Sequence, residues 1–217
     1  MENITVILAD GRFPEHPVPL RILKKHRIVY CDGAARHIRY LKTEPLAIVG
    51  DCDSVPSGIL KKYHNIIFRI PEQETNDLTK AVMWCNEHGL NNIMILGATG
   101  EREDHTIGNI SLLAEYARLV KVRMITDSGV ILPVMKSSEF VTFPGQDISF
   151  FSVNGNSEIT TEGLKYPLDK RRLTSWWQAT LNRATGSTMK LLINRGPVIL
   201  FMGYGTGKLN SIVLKNV

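Results

Sequence analysis

Asn92-Ile93-Met94-Ile95-Leu96-Gly97-Ala98-Thr99-Gly100-Glu101-Arg102-Glu103-Asp104-His105 decides the fold class. It starts as a short apolar run bounded by a turn, passes through a polar loop with two glycines, and leads into Ile107, Ile110, Ala114 and Ala117 at helical spacing. That is a buried strand, a loop and a helix in immediate succession. The same grammar recurs on both sides. Ile4-Thr5-Val6-Ile7-Leu8, Arg27-Ile28-Val29-Tyr30, Ala47-Ile48-Val49, Ile66-Ile67-Phe68 and Val122-Arg123-Met124-Ile125 read as strands, and Leu78, Ala81, Val82 and Cys85 mark a further helix at i, i+3, i+4, i+7.

Strands with little polar alternation, separated by helices, predict an α/β domain whose mainly parallel sheet is covered on both faces, a Rossmann-like three-layer arrangement. After Asp127-Ser128-Gly129 the pattern changes. Residues 139–143, 147–153, 189–193 and 198–202 are short strands punctuated by Pro144-Gly145, Asn154-Gly155 and Arg195-Gly196-Pro197. This predicts a smaller all-β sandwich. The expected domains are 1–130, α/β, and 131–217, β. The glycine-rich Gly203 to Lys208 lacks the spacing of a phosphate loop and reads as a loop or tail.

Composition narrows the function classes. The chain is 43% hydrophobic and 22% charged, as in an ordinary soluble globular protein. A formal charge of +5 suits an anionic ligand. The two dense basic clusters, Lys24-Lys25-His26-Arg27 and Lys170-Arg171-Arg172, read as solvated faces, with no interleaved aromatics to suggest nucleic acid. Three widely spaced cysteines without a CxxC pair argue for a reducing compartment. The first residues carry no signal-peptide pattern and no run is long enough to span a bilayer, so a cytoplasmic location is expected.

Polar residues cluster where strands end, and in parallel sheets ligands bind beyond those carboxyl ends. Gly50-Asp51-Cys52-Asp53-Ser54 sets two carboxylates two residues apart. Like charges at that spacing disfavour each other's ionisation, and Mg²⁺ removes the conflict by binding carboxylates while sharing its other positions with water and phosphate. An Asx-type turn explains the pair when it is taken alone. Asp32-Gly33-Ala34-Ala35 leaves room for a ligand near the backbone, though a tight turn accounts for it equally. In Gln73-Glu74-Thr75-Asn76-Asp77-Leu78-Thr79-Lys80, Thr75 or Asn76 caps a helix and Asp77 sits in its first turn, while Lys80 is either a surface residue or a phosphate contact. The Gly97–His105 loop frees backbone N–H groups for phosphate, Arg102 can clamp an anion, and Asp104 can cap the helix, hold Mg²⁺ or orient a substrate. Taken together, acids, a glycine loop and an arginine at neighbouring strand ends point to metal-assisted phosphate chemistry.

The ordered set DGAA at 32–35, GDCDS at 50–54, QETNDLTKA at 73–81, GATGEREDHTIGN at 97–109 and GLKYPL at 163–168 resembles the thiamine pyrophosphokinase family over essentially the whole chain. The resemblance implies transfer of pyrophosphate from ATP to the hydroxyethyl group of thiamine, giving thiamine diphosphate and AMP. It also implies a homodimer with sites between subunits. Carried over by position, it makes Asp51, Asp53 and Asp77 the carboxylates around Mg²⁺–ATP and, with Asp104, the catalytic set. It assigns Asp32, Gly33, Thr79, Lys80, Arg102 and Asn109 to ATP, and Gln73, Asp104 and Asn182 to thiamine. Trp176 and Trp177 are candidates for an aromatic wall around thiamine, or for core packing. The chain departs from the family pattern at Arg36, where Asn is usual, at Glu101, where Gly is usual, and at Leu181-Asn182, where the pattern has Ser-Asn. The alternatives are a pyrophosphokinase for another small alcohol and a non-catalytic nucleotide- or thiamine-binding module.

Overall fold

A computed structural model describes residues 4–153, 155, 157–207, 210–213 and 215. Asn154, Lys208 and the opening residues 1–3, on which parts of the sequence reading fell, lie outside the described residues. The chain divides into two compact units, one of residues 1–112 and 118–127, the other of residues 113–117 and 128–217.

Up to residue 127 the order is β1 (Thr5–Leu8), α1 (Pro17–Lys25), β2 (Arg27–Cys31), β3 (Pro45–Gly50), α2 (Ser57–Lys62), β4 (Ile67–Arg69), α3 (Asp77–Glu87), β5 (Asn92–Leu96), α4 (Glu103–Tyr116) and β6 (Lys121–Ile125), all in the first unit except the end of α4 from Leu113. The strands pair in the order β6-β5-β1-β2-β3-β4, every pairing parallel. Ile7, Val29, Ile48 and Ile95 are fully buried on successive central strands. Near-continuous apolar runs are what a parallel sheet needs, because neither face is left to water. Helix α3 packs on β1, β2 and β3. Its start is set by Asn76, whose side chain accepts from the Thr79 N–H at 2.8 Å. Of the two capping residues the sequence allowed, Asn76 is the cap, and this places Asp77 at the first helical position.

Helix α1 was not legible as such. Pro17 and Pro19 look like helix breakers, yet both lie in the first turn, where a missing N–H costs nothing. Instead of a helix, Asp32 to Arg39 after β2 forms a 3-10 stretch.

The second unit contains two antiparallel sheets. One runs β12 (Asn182–Arg183), β9 (Asp147–Ser152), β14 (Val198–Gly203), β7 (Gly129–Val134). The other runs β11 (Arg171–Arg172), β10 (Glu158–Glu162), β13 (Thr188–Ile193), β8 (Ser138–Val141). Four strands escaped the sequence reading, two of them, β11 and β12, only two residues long. β7 contains Pro133, which argues against a strand, and it pairs with β14 along its whole length. It therefore crosses the expected 130/131 junction, and the units divide at Asp127 and Ser128 instead. β10, Glu-Ile-Thr-Thr-Glu, is too polar to stand out, although Ile159 and Thr161 point inward and are buried.

Gly97, directly after β5, has φ +66°, and a Cβ there would lie 2.7 Å from the Ala9 carbonyl oxygen. The carbonyl of Gly97 itself accepts from the Gly11 N–H at 2.7 Å, so the chain has no freedom to move aside. Gly97→Ala is expected to cost about 1–2 kcal/mol from the left-handed backbone alone. Urea unfolding should show a lower midpoint than wild type, and an unchanged midpoint would contradict the close approach.

Candidate functional site

The carboxyl ends of β1, β2, β3 and β5 open onto a cleft of about 400 Å³, within the usual range of small-molecule sites, ~300–1,000 Å³. Its lining includes Asp10, Asp32, Asp51, Asp53, Asp77 and Arg102. Each acid follows from the strand or helix before it: Asp32 directly succeeds β2, Asp51 succeeds β3, and Asp77 opens α3.

Among the described residues, Asp32, Asp51 and Asp53 each offer a carboxylate oxygen within 4.8 Å of the others. Asp32 is only 4% exposed. Its Oδ2 accepts from the Ser54 N–H at 3.2 Å, while its buried Oδ1 has no hydrogen-bond partner among the described residues. Burial pushes this carboxyl up to about 6, with the Ser54 N–H opposing and Asp77, Asp51 and Asp53 adding to the rise. A buried acid facing like charges with an unpartnered oxygen is costly without a cation. The donor set is all hard oxygen, which suits Mg²⁺.

The turn carrying the other two acids is locally tight. Cys52 lies at φ 65°, a left-handed conformation uncommon outside glycine. Asp51 Oδ1 accepts from the Asp53 N–H at 3.2 Å, and Asp53 Oδ1 accepts from the Ser54 hydroxyl at 2.8 Å. Gln73 donates to Asp51 Oδ2 at 3.2 Å, and this bond holds Asp51 below the usual carboxylate range. Gln73 thus touches the acid turn and is absent from the cleft lining.

Asp77 was expected beside Asp51 and Asp53 as a ligand, with Asp32 assigned to nucleotide. Asp32 joins Asp51 and Asp53 within ligand distance, and Asp77 lines the same cleft. Asp77 Oδ1 pairs with Lys80 Nζ at 3.3 Å, one turn along α3. Burial raises its carboxyl, and the Lys80 bond and charge oppose that rise. Lys80 is buried, its side chain 3% exposed, so it is neither a surface residue nor part of the cleft wall. Thr79 gives its N–H to the helix cap and is likewise absent from the lining.

Asn109 lines the cleft, donating to the Ala98 carbonyl at 2.9 Å and accepting from Asn76 at 3.3 Å. Arg102 and Asp104 form an exposed forked pair, at 2.6 and 3.1 Å, that holds the Asp104 carboxyl down to about 2. Arg102 reaches the cleft wall, and Asp104 is turned toward Arg102.

In the second unit Asn182 is 4% exposed, and its amide is engaged locally. It donates to the Tyr166 carbonyl at 2.6 Å and accepts from the N–H groups of Tyr166 and Arg183 at 3.1 and 2.9 Å. Trp176 packs edge-on against Phe151 with ring centroids 5.8 Å apart. Trp177 and Leu181 are exposed, 74% and 87%, and Leu181 has φ 60°. Both tryptophans are thus exposed, Trp176 at 39% with one ring contact, and neither is part of the core.

One acid in the cleft went unnoticed in the sequence. Asp10 follows β1, its carboxyl raised by burial and lowered by its partner Arg36. The available signal was Asp10-Gly11 at a strand end, the same pattern as Asp32-Gly33.

The family model described as thiamin pyrophosphokinase, catalytic domain, matches residues 20–125, and that of thiamin pyrophosphokinase, substrate-binding domain, matches residues 129–201. Thiamin pyrophosphokinase 1 of Caenorhabditis elegans is 32% identical over 113 residues, 48% of this chain and 46% of that protein. Thiamine pyrophosphokinase 1 of Oryza sativa subsp. japonica is 28% identical over 149 residues, 62% of this chain and 56% of that protein. The chain thus spans about half the length of these curated relatives. The crystal structure of thiamine pyrophosphokinase from Bacillus subtilis agrees in fold, with a TM-score of 0.77 at 23% identity over 92% of this chain and 98% of that one. Two family models in tandem cover most of the sequence, in the order of its two units, and the chain belongs to the thiamin pyrophosphokinase family.

Proposed function

We propose that the protein transfers pyrophosphate from ATP to the hydroxyethyl hydroxyl of thiamine, yielding thiamine diphosphate and AMP. The observation that carries this reading is the Asp32, Asp51 and Asp53 group, with an unpartnered buried oxygen, beside the Gly97–Arg102 loop. Family membership supports the choice of substrates.

In this reading the first unit forms the α/β catalytic domain, a Rossmann-like layered arrangement supported by its all-parallel strand pairing. The second unit forms the β domain, which contributes to the thiamine site and the dimer interface. The enzyme acts as a homodimer in the cytoplasm. Among the described residues, no helix is long and apolar enough to cross a membrane.

Asp32, Asp51 and Asp53 would hold Mg²⁺, which when bound neutralises phosphate charge and polarises the phosphoryl oxygens. The Gly97–Gly100 backbone and Arg102 receive the polyphosphate, and Asn109 steadies that loop through the Ala98 carbonyl. The thiamine hydroxyl oxygen forms a bond to the β-phosphorus. The bond from that phosphorus to the α–β bridging oxygen breaks, and AMP leaves with the electron pair. Asp77, half-buried with its carboxyl raised, accepts the hydroxyl proton, and Lys80 keeps it oriented. As in other phosphoryl-type transfers, positioning and electrostatics do most of the work. Exposed Trp177 and Leu181 favour an aromatic and apolar contribution to the acceptor site, in place of the hydroxyl of the family's serine.

Asp51→Asn and Asp53→Asn are each expected to lower kcat by more than about 100-fold, beyond the 10–100-fold typical of groups that only support a metal ligand. Circular dichroism should stay unchanged, and near-normal turnover in both variants would overturn the assignment. EDTA should stop turnover and added Mg²⁺ restore it. With Mg²⁺–ATP and thiamine, chromatography should show AMP and thiamine diphosphate in equal amounts. ADP with thiamine monophosphate would refute pyrophosphoryl transfer. AMP formed only with a different alcohol would keep the chemistry and replace thiamine as the acceptor, whereas ligand binding with no AMP would favour a pure binding module.

A further inference from the structure

Asp10 and Arg36 link three strand-end loops of the first unit. Arg36 sits in the 3-10 stretch that begins at Asp32, and one terminal nitrogen, Nη1, donates to the Gly33 carbonyl at 3.0 Å and also to Asp10 Oδ1. The Asp10 carboxylate lies over Gly33 so closely that a Cβ at position 33 would collide with it. Asp10 is anchored from its other side by backbone bonds. The N–H groups of Ala9, Gly11 and Arg12 donate to the carbonyls of Leu96, Gly97 and Thr99 at 2.9, 2.7 and 3.1 Å. A continuous set of bonds therefore runs from the Gly97–Thr99 loop through Asp10 and Arg36 to the backbone next to Asp32.

We propose that Arg36 is a positioning residue. Through its paired bonds to Asp10 and Gly33 it ties the Asp32 loop to the glycine loop and holds the Asp32 carboxylate at the cation position. The proposal rests on the cation-assisted reading given above. Both partners are partly open to solvent, at 41% and 40% side-chain exposure, so the charge attraction is screened. What remains is geometric: one guanidinium nitrogen bonds two acceptors on different segments, with planar, directed N–H donors. The same two segments also meet where Phe13 stacks on His37, ring centroids 4.5 Å apart. That stack holds the segments together when Arg36 is removed, and it offers a contact of purely structural character for comparison.

The test measures Mn²⁺ binding by electron paramagnetic resonance and the Mg²⁺ dependence of turnover, using the full chain. In wild type Mn²⁺ should bind, and Asp32→Asn should abolish that binding. Arg36→Met and Asp10→Ala are each expected to weaken Mn²⁺ binding about tenfold, the scale of lost support for a metal ligand. The double variant should bind as the single variants do, because the two residues act as one unit. The Mg²⁺ concentration for half-maximal rate should rise similarly, with kcat at saturating Mg²⁺ changing less. His37→Ala should lower the unfolding temperature while Mn²⁺ affinity stays within about twofold of wild type. Mn²⁺ affinity near wild type in Arg36→Met and Asp10→Ala overturns the proposal. Additive losses in the double variant, or a loss in His37→Ala as large as in Arg36→Met, overturn it as well. If Arg36→Met does not fold, Asp10→Ala alone decides. Failure of wild type to bind Mn²⁺, or unchanged binding in Asp32→Asn, removes the cation reading and the proposal with it.

Discussion

A nearly buried carboxylate with one unpartnered oxygen sets the terms for the whole site. Asp32 is 4% exposed, faces Asp51 and Asp53 within ligand distance, and has its carboxyl pushed up to about 6. Taking such a group out of water among like charges is unfavourable unless something cationic compensates. The surrounding bonds act to hold the acids in place rather than to neutralise them. Ser54 donates to Asp32, Gln73 to Asp51, and the Asp51–Ser54 turn is cross-linked within itself.

Parallel topology makes this concentration of charge achievable. Every strand of the first unit ends at the same edge of its sheet, so loops from residues far apart in sequence converge there. Helix α3 adds Asp77 at its first position, where the helix dipole favours a carboxylate, and Lys80 one turn later steadies it. The backbone bonds between residues 9–12 and 96–99 then fix the glycine-rich loop against the end of β1. The rigid sheet carries the acids, and the loops carry the adaptable backbone donors.

Much of this was legible in the residues. Apolar runs of β-branched residues marked all six parallel strands, because a strand buried on both faces has no other composition open to it. Strand-end acids and glycines marked the cleft for a similar reason: few residue types tolerate tight turns beside a polar ligand. The misses have equally local causes. Two prolines in its first turn hid α1, Pro133 hid β7, and a polar sequence hid β10. Asp10 was passed over although Asp10-Gly11 repeats the Asp32-Gly33 pattern, because no second acid follows it as Asp53 follows Asp51.

By itself the sequence determined the α/β-then-β order and most of the acids that line the cleft, because periodicity and turn chemistry are local properties of the chain. Only the tertiary structure decided which acids stand together. Asp32 lies 19 positions before Asp51 and Asp77 lies 26 after it, separations over which the chain's own geometry places no constraint on side-chain contact. The parallel sheet set Asp32 beside the acid turn, and the turn of α3 paired Asp77 with Lys80 at the edge of the same cleft. The bond from Arg36 to Asp10 was settled at the same level, because it needs two separate strand ends brought side by side.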